Sequence, residues 1–277
     1  MELLTEEILK KVILPREKAT HKGNFGRVLI IAGDEQYGGA SILAAGSAVY
    51  AGAGLVSVAT SKHNHAPLHA RYPEAMVIDW ENHTLLEKVT KQVDVILIGC
   101  GLGVETIGFS LLKNLFATIT ERQLLILDGS AFSLLAENTL NIPFPKQTIL
   151  TPHQMEWQVF SGIEIAQQTD LNNQTQVDKN EFTVILKSEE TRIYFPREES
   201  YKLTIGTPAQ AIGGSGDTLA GILAAFLAQF RGKRREVIGS AVFLHSFIAR
   251  KIAKKERIAL PTKIIDRLPE VMRNFEQ

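Results

Sequence analysis

Cysteine is nearly absent: Cys100 stands alone among 277 residues. A single thiol forms no intramolecular disulfide, and without a cysteine cluster there is no thiolate set for structural zinc. That usage fits the cytoplasm. Net charge is absent too, with 30 Lys+Arg against 30 Asp+Glu. A neutral chain offers no overall field to nucleic acid or an anionic membrane, so neither is an expected partner. The balance hides an asymmetry, because residues 231–277 hold 12 Lys+Arg against 5 Asp+Glu. On closing helices that excess reads as a solvated face or a subunit contact. The first eighteen residues are charged throughout and lack the apolar core of a secretory signal. Residues 36–61 lack charge altogether and are long enough to span a bilayer. They are largely Ala, Gly and Ser, however, and Gly52 and Gly54 interrupt them. The segment reads as a buried helix over about 39–51, a glycine turn and a buried strand over 55–59.

What is present suits a globular core: 45% apolar and 22% charged residues. Apolar runs at 28–32, 55–59, 75–78, 94–98, 124–127 and 147–150 alternate with helix-period stretches at 85–91, 105–117 and 131–137. Short strands separated by helices imply right-handed crossovers and a mostly parallel sheet covered on both faces. Runs at 183–187, 192–195 and 201–204 leave no room for helices between them and read as antiparallel edge strands. Helices over about 217–229, 235–251 and 262–274 close the chain. No repeat or Pro/Ser-rich linker divides it, so one αβα domain over 1–277 is expected.

In such a sheet, ligands bind beyond the carboxyl ends of the strands. Four turn-rich motifs fall there: Gly33-Asp34, Gly99-Cys100-Gly101-Leu102-Gly103, Asp128-Gly129-Ser130 and Thr151–Glu156. The second has the spacing G-x-G-x-G, not the dinucleotide fingerprint. The sharpest signal is Gly213-Gly214-Ser215-Gly216-Asp217-Thr218, running into an apolar helix. Glycines there let the backbone approach a ligand, and free N–H groups at a helix start form an anion site suited to a terminal phosphate. It is not a Walker motif. Asp217 beside a phosphate costs energy unless it takes a proton from a hydroxyl that attacks phosphorus. His245 reads as a satisfied packing histidine, the His63, His65 and His69 region as a polar loop, and Trp80 and Trp157 as packing residues. Cys100 reads as a buried, inert thiol.

The Gly213–Asp217 loop near the end of an αβα chain resembles the ribokinase-like superfamily. Within it the sequence is similar to the ADP/ATP-dependent NAD(P)H-hydrate dehydratases. The supporting pieces occur in order: His21-Lys22-Gly23 with Gly26, Gly38-Gly39-Ala40, Gly101-Leu102-Gly103, Leu127-Asp128, Thr151-Pro152-His153 with Glu156, and Leu186-Lys187. The family usually has Pro at Cys100, Pro-Gly at Gln154-Met155, Gly at Ser188, and Asn and Gly at Thr207 and Ala209. The resemblance implies a three-layer ribokinase-like fold and a repair reaction. Hydrated NADH or NADPH would be dehydrated at the expense of ADP, or of ATP, giving AMP and phosphate in the ADP case. It implies Asp217 as base and substrate contact, with Gly213, Gly214, Ser215, Gly216 and Lys187-Ser188-Glu189-Glu190-Thr191 at the nucleotide. Ala40, Gly101, Gly103 and His153 would line the hydrated-nicotinamide side. Glu156, sharing a helical face with His153, would orient Mg²⁺ through water. A homotetramer is implied, and a separate epimerase would interconvert the hydrate epimers, since the chain shows no additional N-terminal domain. The rival readings are a small-molecule kinase of the same superfamily, acting on a vitamin-precursor alcohol or sugar, and a nucleotide-sensing protein without turnover.

Overall fold

Along the strand Arg27–Ile31, Val28 and Ile30 face one hydrophobic cluster and Leu29 and Ile31 another, and all four are buried. A strand apolar on both sides needs cover on both sides. The computed structural model, which describes residues 1–230 and 232–276, supplies that cover. The strands are β1 (Glu2–Leu3), β2 (Arg27–Ile31), β3 (Leu55–Thr60), β4 (Met76–Asp79) and β5 (Val95–Ile98). They continue with β6 (Leu124–Leu127), β7 (Thr148–Leu150), β8 (Thr183–Leu186), β9 (Arg192–Tyr194) and β10 (Tyr201–Lys202). The helices are α1 (Glu7–Val12), α2 (Gly38–Tyr50), α3 (His65–Arg71), α4 (His83–Thr90), α5 (Thr106–Thr118) and α6 (Ser130–Asn138). Then come α7 (Gln154–Ser161), α8 (Asp170–Asn180), α9 (Ser215–Gln229), α10 (Arg234–Ala253) and α11 (Pro261–Arg273).

The ten strands form one sheet in the order β1-β10-β9-β8-β7-β6-β5-β2-β3-β4. Helices α1, α2, α9, α10 and α11 cover one face and α4 to α8 the other. Among the described residues β9 alone runs against the rest, pairing antiparallel with β8 and β10. The antiparallel expectation therefore holds for those two pairs, while β8 enters parallel to β7 through α8. Helix α8 escapes a periodicity argument because it is polar, burying only Asn173 and Val177. Two further elements were invisible for want of length: α1 and the two-residue β1, which pairs parallel with β10. The region of His63, His65 and His69 is a short turn followed by α3, not a loop.

The uncharged segment 36–61 is core. Small residues let α2 and α9 approach closely: a Cβ on Gly221 would lie 2.3 Å from the Ala44 carbonyl oxygen. No described helix is long and apolar enough to cross a membrane. Trp157 is wholly buried, its indole N–H donating to Asn173 Oδ1 at 2.9 Å, so it packs and does not border a site. His245 is only half satisfied. Its Nδ1 lies 3.3 Å from Gln210 Nε2, but Nε2 is buried with no partner.

The chain leaves β2 toward β3 and β4, then returns to β5 on the other side of β2. The loops after β2 and β5 part at that reversal, which is where an open α/β sheet forms its binding crevice. Helix α9 packs across β2, β5 and β6 and begins at that same edge.

Candidate active site

Helix α9 starts at Ser215, two residues earlier than the sequence suggests. Gly214 is its N-cap in the left-handed conformation, with φ of 89°. A Cβ there would lie 2.3 Å from Leu43 Cδ1, so only glycine turns this corner. The first intrahelical bond is Thr218 N to Gly214 O at 3.0 Å. The amides of Ser215, Gly216 and Asp217 lie ahead of it, at the positive end of a fifteen-residue helix. Gly213 has nothing within 4 Å of a would-be Cβ, so this part of the loop is open. Asp217 falls in the first turn and turns inward.

The β2 and β5 loops are tied together. Gly33 N donates to Cys100 O at 2.9 Å and Asp34 N to Gly101 O at 2.7 Å. Asp34 Oδ1 accepts from Gln36 N and Tyr37 N, which starts α2 beside the glycines. A Cβ on Gly101 would meet Ala40 Cβ at 2.8 Å, and one on Gly103 would meet Asp34 Oδ2 at 2.7 Å. Ala40, Gly101 and Gly103 are therefore brought together in one wall.

Between that wall and α9 lies a buried polar cluster. Asp128 is 3% exposed, and its carboxylate accepts from Thr151 Oγ1 at 2.6 Å, Lys187 Nζ at 2.9 Å and Cys100 Sγ at 3.3 Å. Burial pushes its proton affinity up, but Lys187 and the hydrogen bonds outweigh that and hold the carboxyl below the usual range. Lys187 is held above its ordinary value, because Asp128 and Glu156 overcome the cost of burial. Its Nζ lies 3.3 Å from where a Gly216 Cβ would be and 3.8 Å from Glu156 Oε2. Asp217 is pushed up to about 6, first by burial and then by the Asp128 charge, against the pull of the Cys100 thiol and Lys187. The Cys100 thiol stays protonated, raised by burial and by both carboxylates. It is inert as a nucleophile, as the sequence suggests, yet it sits inside the site.

His153 does not share a helical face with Glu156. It is the N-cap of α7, its Nδ1 accepting from Met155 N and Glu156 N, while Glu156 Oε2 accepts from His153 N at 2.7 Å. This reciprocal cap fixes the ring and leaves Nε2 and Glu156 Oε1 3.4 Å apart. Lys187 N donates to Pro152 O, bringing the end of β8 beside this cap. The turn Ser188–Thr191 is closed by Thr191 Oγ1 donating to Ser188 O at 3.2 Å. The Glu189 carbonyl packs on Gly206, placing the turn beside the segment that leads to the glycine loop. The Glu190 carboxylate is held by Lys202 and Arg192. The segment His21–Gly26 lies elsewhere. It precedes β2 and packs Gly26 against Ala228, at the amino ends of the strands. A cavity of about 810 Å³ is also at that end and is lined by none of the site residues.

Asp128, Thr151 and Cys100 carry no assigned role in the sequence reading. The available signal was an aspartate following the buried end of an apolar strand, where an unpaired carboxylate would be too costly.

Residues 28–270 match the model of the NAD(P)H-hydrate dehydratase family. The ADP-dependent (S)-NAD(P)H-hydrate dehydratase of Lactococcus lactis is 50% identical over 273 residues, 99% of this chain and 98% of that protein. A ribokinase-like superfamily protein of Enterococcus faecalis superposes with a TM-score of 0.98 at 46% identity, covering 100% of this chain and 97% of the other. The Bacillus subtilis ADP/ATP-dependent NAD(P)H-hydrate dehydratase, crystallised with ATP/Mg²⁺, gives 0.85 at 26% identity, with 99% of each chain covered. The chain therefore belongs to the NAD(P)H-hydrate dehydratase family and has its ribokinase-like fold.

Proposed function

We propose that the protein repairs hydrated NADH and NADPH by ADP-driven dehydration, with Asp217 as the base. The observation that carries the residue assignment is the position of Asp217: a half-buried carboxylate, holding its proton to about pH 6, inside the first turn of a glycine-started helix. Such a group is neutral enough to approach a phosphate and ionised enough at neutral pH to accept a proton. It would take the proton of the C6 hydroxyl as that oxygen bonds to the β-phosphorus of ADP and AMP departs. The C6–O bond then breaks, with the ring nitrogen donating electrons and inorganic phosphate leaving. Loss of a C5 proton restores the dihydropyridine. The amides of Gly213 to Gly216 would hold the transferring phosphoryl group, and Lys187, anchored by Asp128 against Gly216, would offset its charge. The Ser188–Thr191 turn would flank the nucleotide, while Ala40, Gly101, Gly103 and His153 would shape the nicotinamide side.

Glu156 would orient an aquated magnesium through Oε1, in place of its 3.4 Å approach to His153 Nε2, since Oε2 is occupied by the helix cap. Bound there, Mg²⁺ would neutralise phosphate charge. The same reading takes residues 1–277 as one catalytic domain and places it in the cytoplasm as a homotetramer. Because the L. lactis relative is named for the S hydrate, the R epimer would depend on a separate epimerase. The assignment of Asp217 is tested with Asp217→Asn. Turnover should fall by about 10²–10⁴-fold while ADP still binds in a calorimeter; unchanged turnover removes Asp217 as the base.

A further inference from the structure

The Cys100 thiol lies between two carboxylates. Its sulfur and one oxygen each of Asp128 and Asp217 all fall within 4.8 Å of one another. Of the three side chains only the thiol has a proton to donate at neutral pH, and in the structure it gives it to Asp128 Oδ2 at 3.3 Å. Asp128 cannot shed its charge easily, because Lys187 and Thr151 bind the ionised form. A fixed negative charge a few ångströms away in a buried site makes it harder for a second carboxylate to ionise, whereas a donor that can turn toward that carboxylate makes it easier. We propose that Asp128 and Cys100 are positioning residues for Asp217, acting in opposite senses: Asp128 tightens its hold on the proton and the Cys100 thiol loosens it.

The other groups facing Asp217 are Lys187 at the end of β8, whose ammonium favours the ionised form, and Glu156 on α7, which opposes it. Helix α2, packed along α9, carries no charged residue. On α10, His245 is kept neutral by burial. Among the described hydrogen bonds none reaches the Asp217 carboxylate, and the Cys100 thiol, now turned to Asp128, is the neutral donor that the cluster places within 4.8 Å of it.

The consequence for turnover rests on Asp217 being the base, but the pair itself can be read without catalysis. The experiment is a carboxyl-carbon NMR titration of ¹³C-aspartate-labelled, nucleotide-free protein, with the Asp217 signal assigned from its loss in Asp217→Asn. The wild-type midpoint should lie near pH 6. Asp128→Asn should lower it, and Cys100→Ala should raise it, each by about one pH unit. Cys100→Ser keeps a donor in place and should return the midpoint to the wild-type position or below. Midpoints that stay put, or that move the same way in Asp128→Asn and Cys100→Ala, overturn the proposal, since lost packing alone has no reason to change sign. If Asp128→Asn does not fold, the cysteine variants decide: a rise in Ala that Ser reverses supports the proposal, and no such reversal overturns it. Turnover in the same variants separates the two claims. An acid limb that ignores a shifted Asp217 midpoint overturns the base assignment and leaves the pair standing.

Discussion

Asp217 costs the fold something, and the sign of that cost can be measured. Its carboxyl holds a proton to about pH 6 in the fold but only to about 3.9 in the unfolded chain. Between those values the folded state binds more protons, so this group lowers stability as pH rises, and the full penalty is present above about 6. Asp217→Asn is therefore expected to unfold at higher denaturant at pH 7.5, by about 1–3 kcal/mol, and to show no such advantage at pH 4. Urea titrations at the two pH values check this. With Asp217 as the proposed base, turnover is expected to decline below about pH 6 as the carboxylate takes up its proton. Lys187 behaves oppositely. Lys187→Met leaves Asp128 buried and unpaired, and a loss of about 3 kcal/mol or more is expected in the same assay.

The elements that carry chemistry are the turns, and they divide glycines by what they tolerate. Gly214 sits at positive φ against Leu43, so Gly214→Ala should destabilise the start of α9 as well as weaken nucleotide binding. Gly216 has ordinary backbone geometry, and a Cβ there meets only the Lys187 ammonium at 3.3 Å, a contact relieved by a shift of a few tenths of an ångström. Gly216→Ala should fold with a melting temperature near wild type and yet bind ADP at least tenfold more weakly, because the methyl occupies the phosphate's approach. Calorimetry and thermal melts on the two variants check that contrast. The sheet was legible from its sequence where strands such as Val95–Ile98 are apolar on both faces and bounded by turns. The glycine–aspartate loop was legible because its residue types have few other uses. Helix α8 was not, since its polar run has no apolar period, and β1 exists only because β10 offers it an edge. The His153 cap was misjudged as a helical face because a histidine can satisfy helix-start amides as a serine does. The Asp128–Cys100–Lys187 cluster was hidden for a different reason: its members are 28 and 59 residues apart in pairs, and only the carboxyl edge of the sheet brings them together.

At the scale of the molecule, one sheet reversal gathers loops from β2, β5, β6, β7 and β8 against the start of α9, so a single edge holds the groups given roles in the proposed reaction. Buried His245 links that edge to overall stability. It stays neutral down to about pH 4 in the fold, whereas the unfolded chain protonates it near 6.5. Stability is thus lost as pH falls through that window, opposing the gain from Asp217. His245→Asn should flatten the acid side of the stability profile, retaining about 2–3 kcal/mol more than wild type relative to neutral pH when both are unfolded in urea at pH 4. The central claim, however, concerns chemistry. Hydrated NADH absorbs little at the wavelength of the dihydropyridine, so the direct measurement is absorbance at 340 nm when purified protein meets that hydrate with ADP. Absorbance should recover in step with AMP and phosphate, and should fail to recover with Asp217→Asn or without nucleotide. A wild-type protein that leaves the absorbance flat while stably phosphorylating an alcohol would contradict the account.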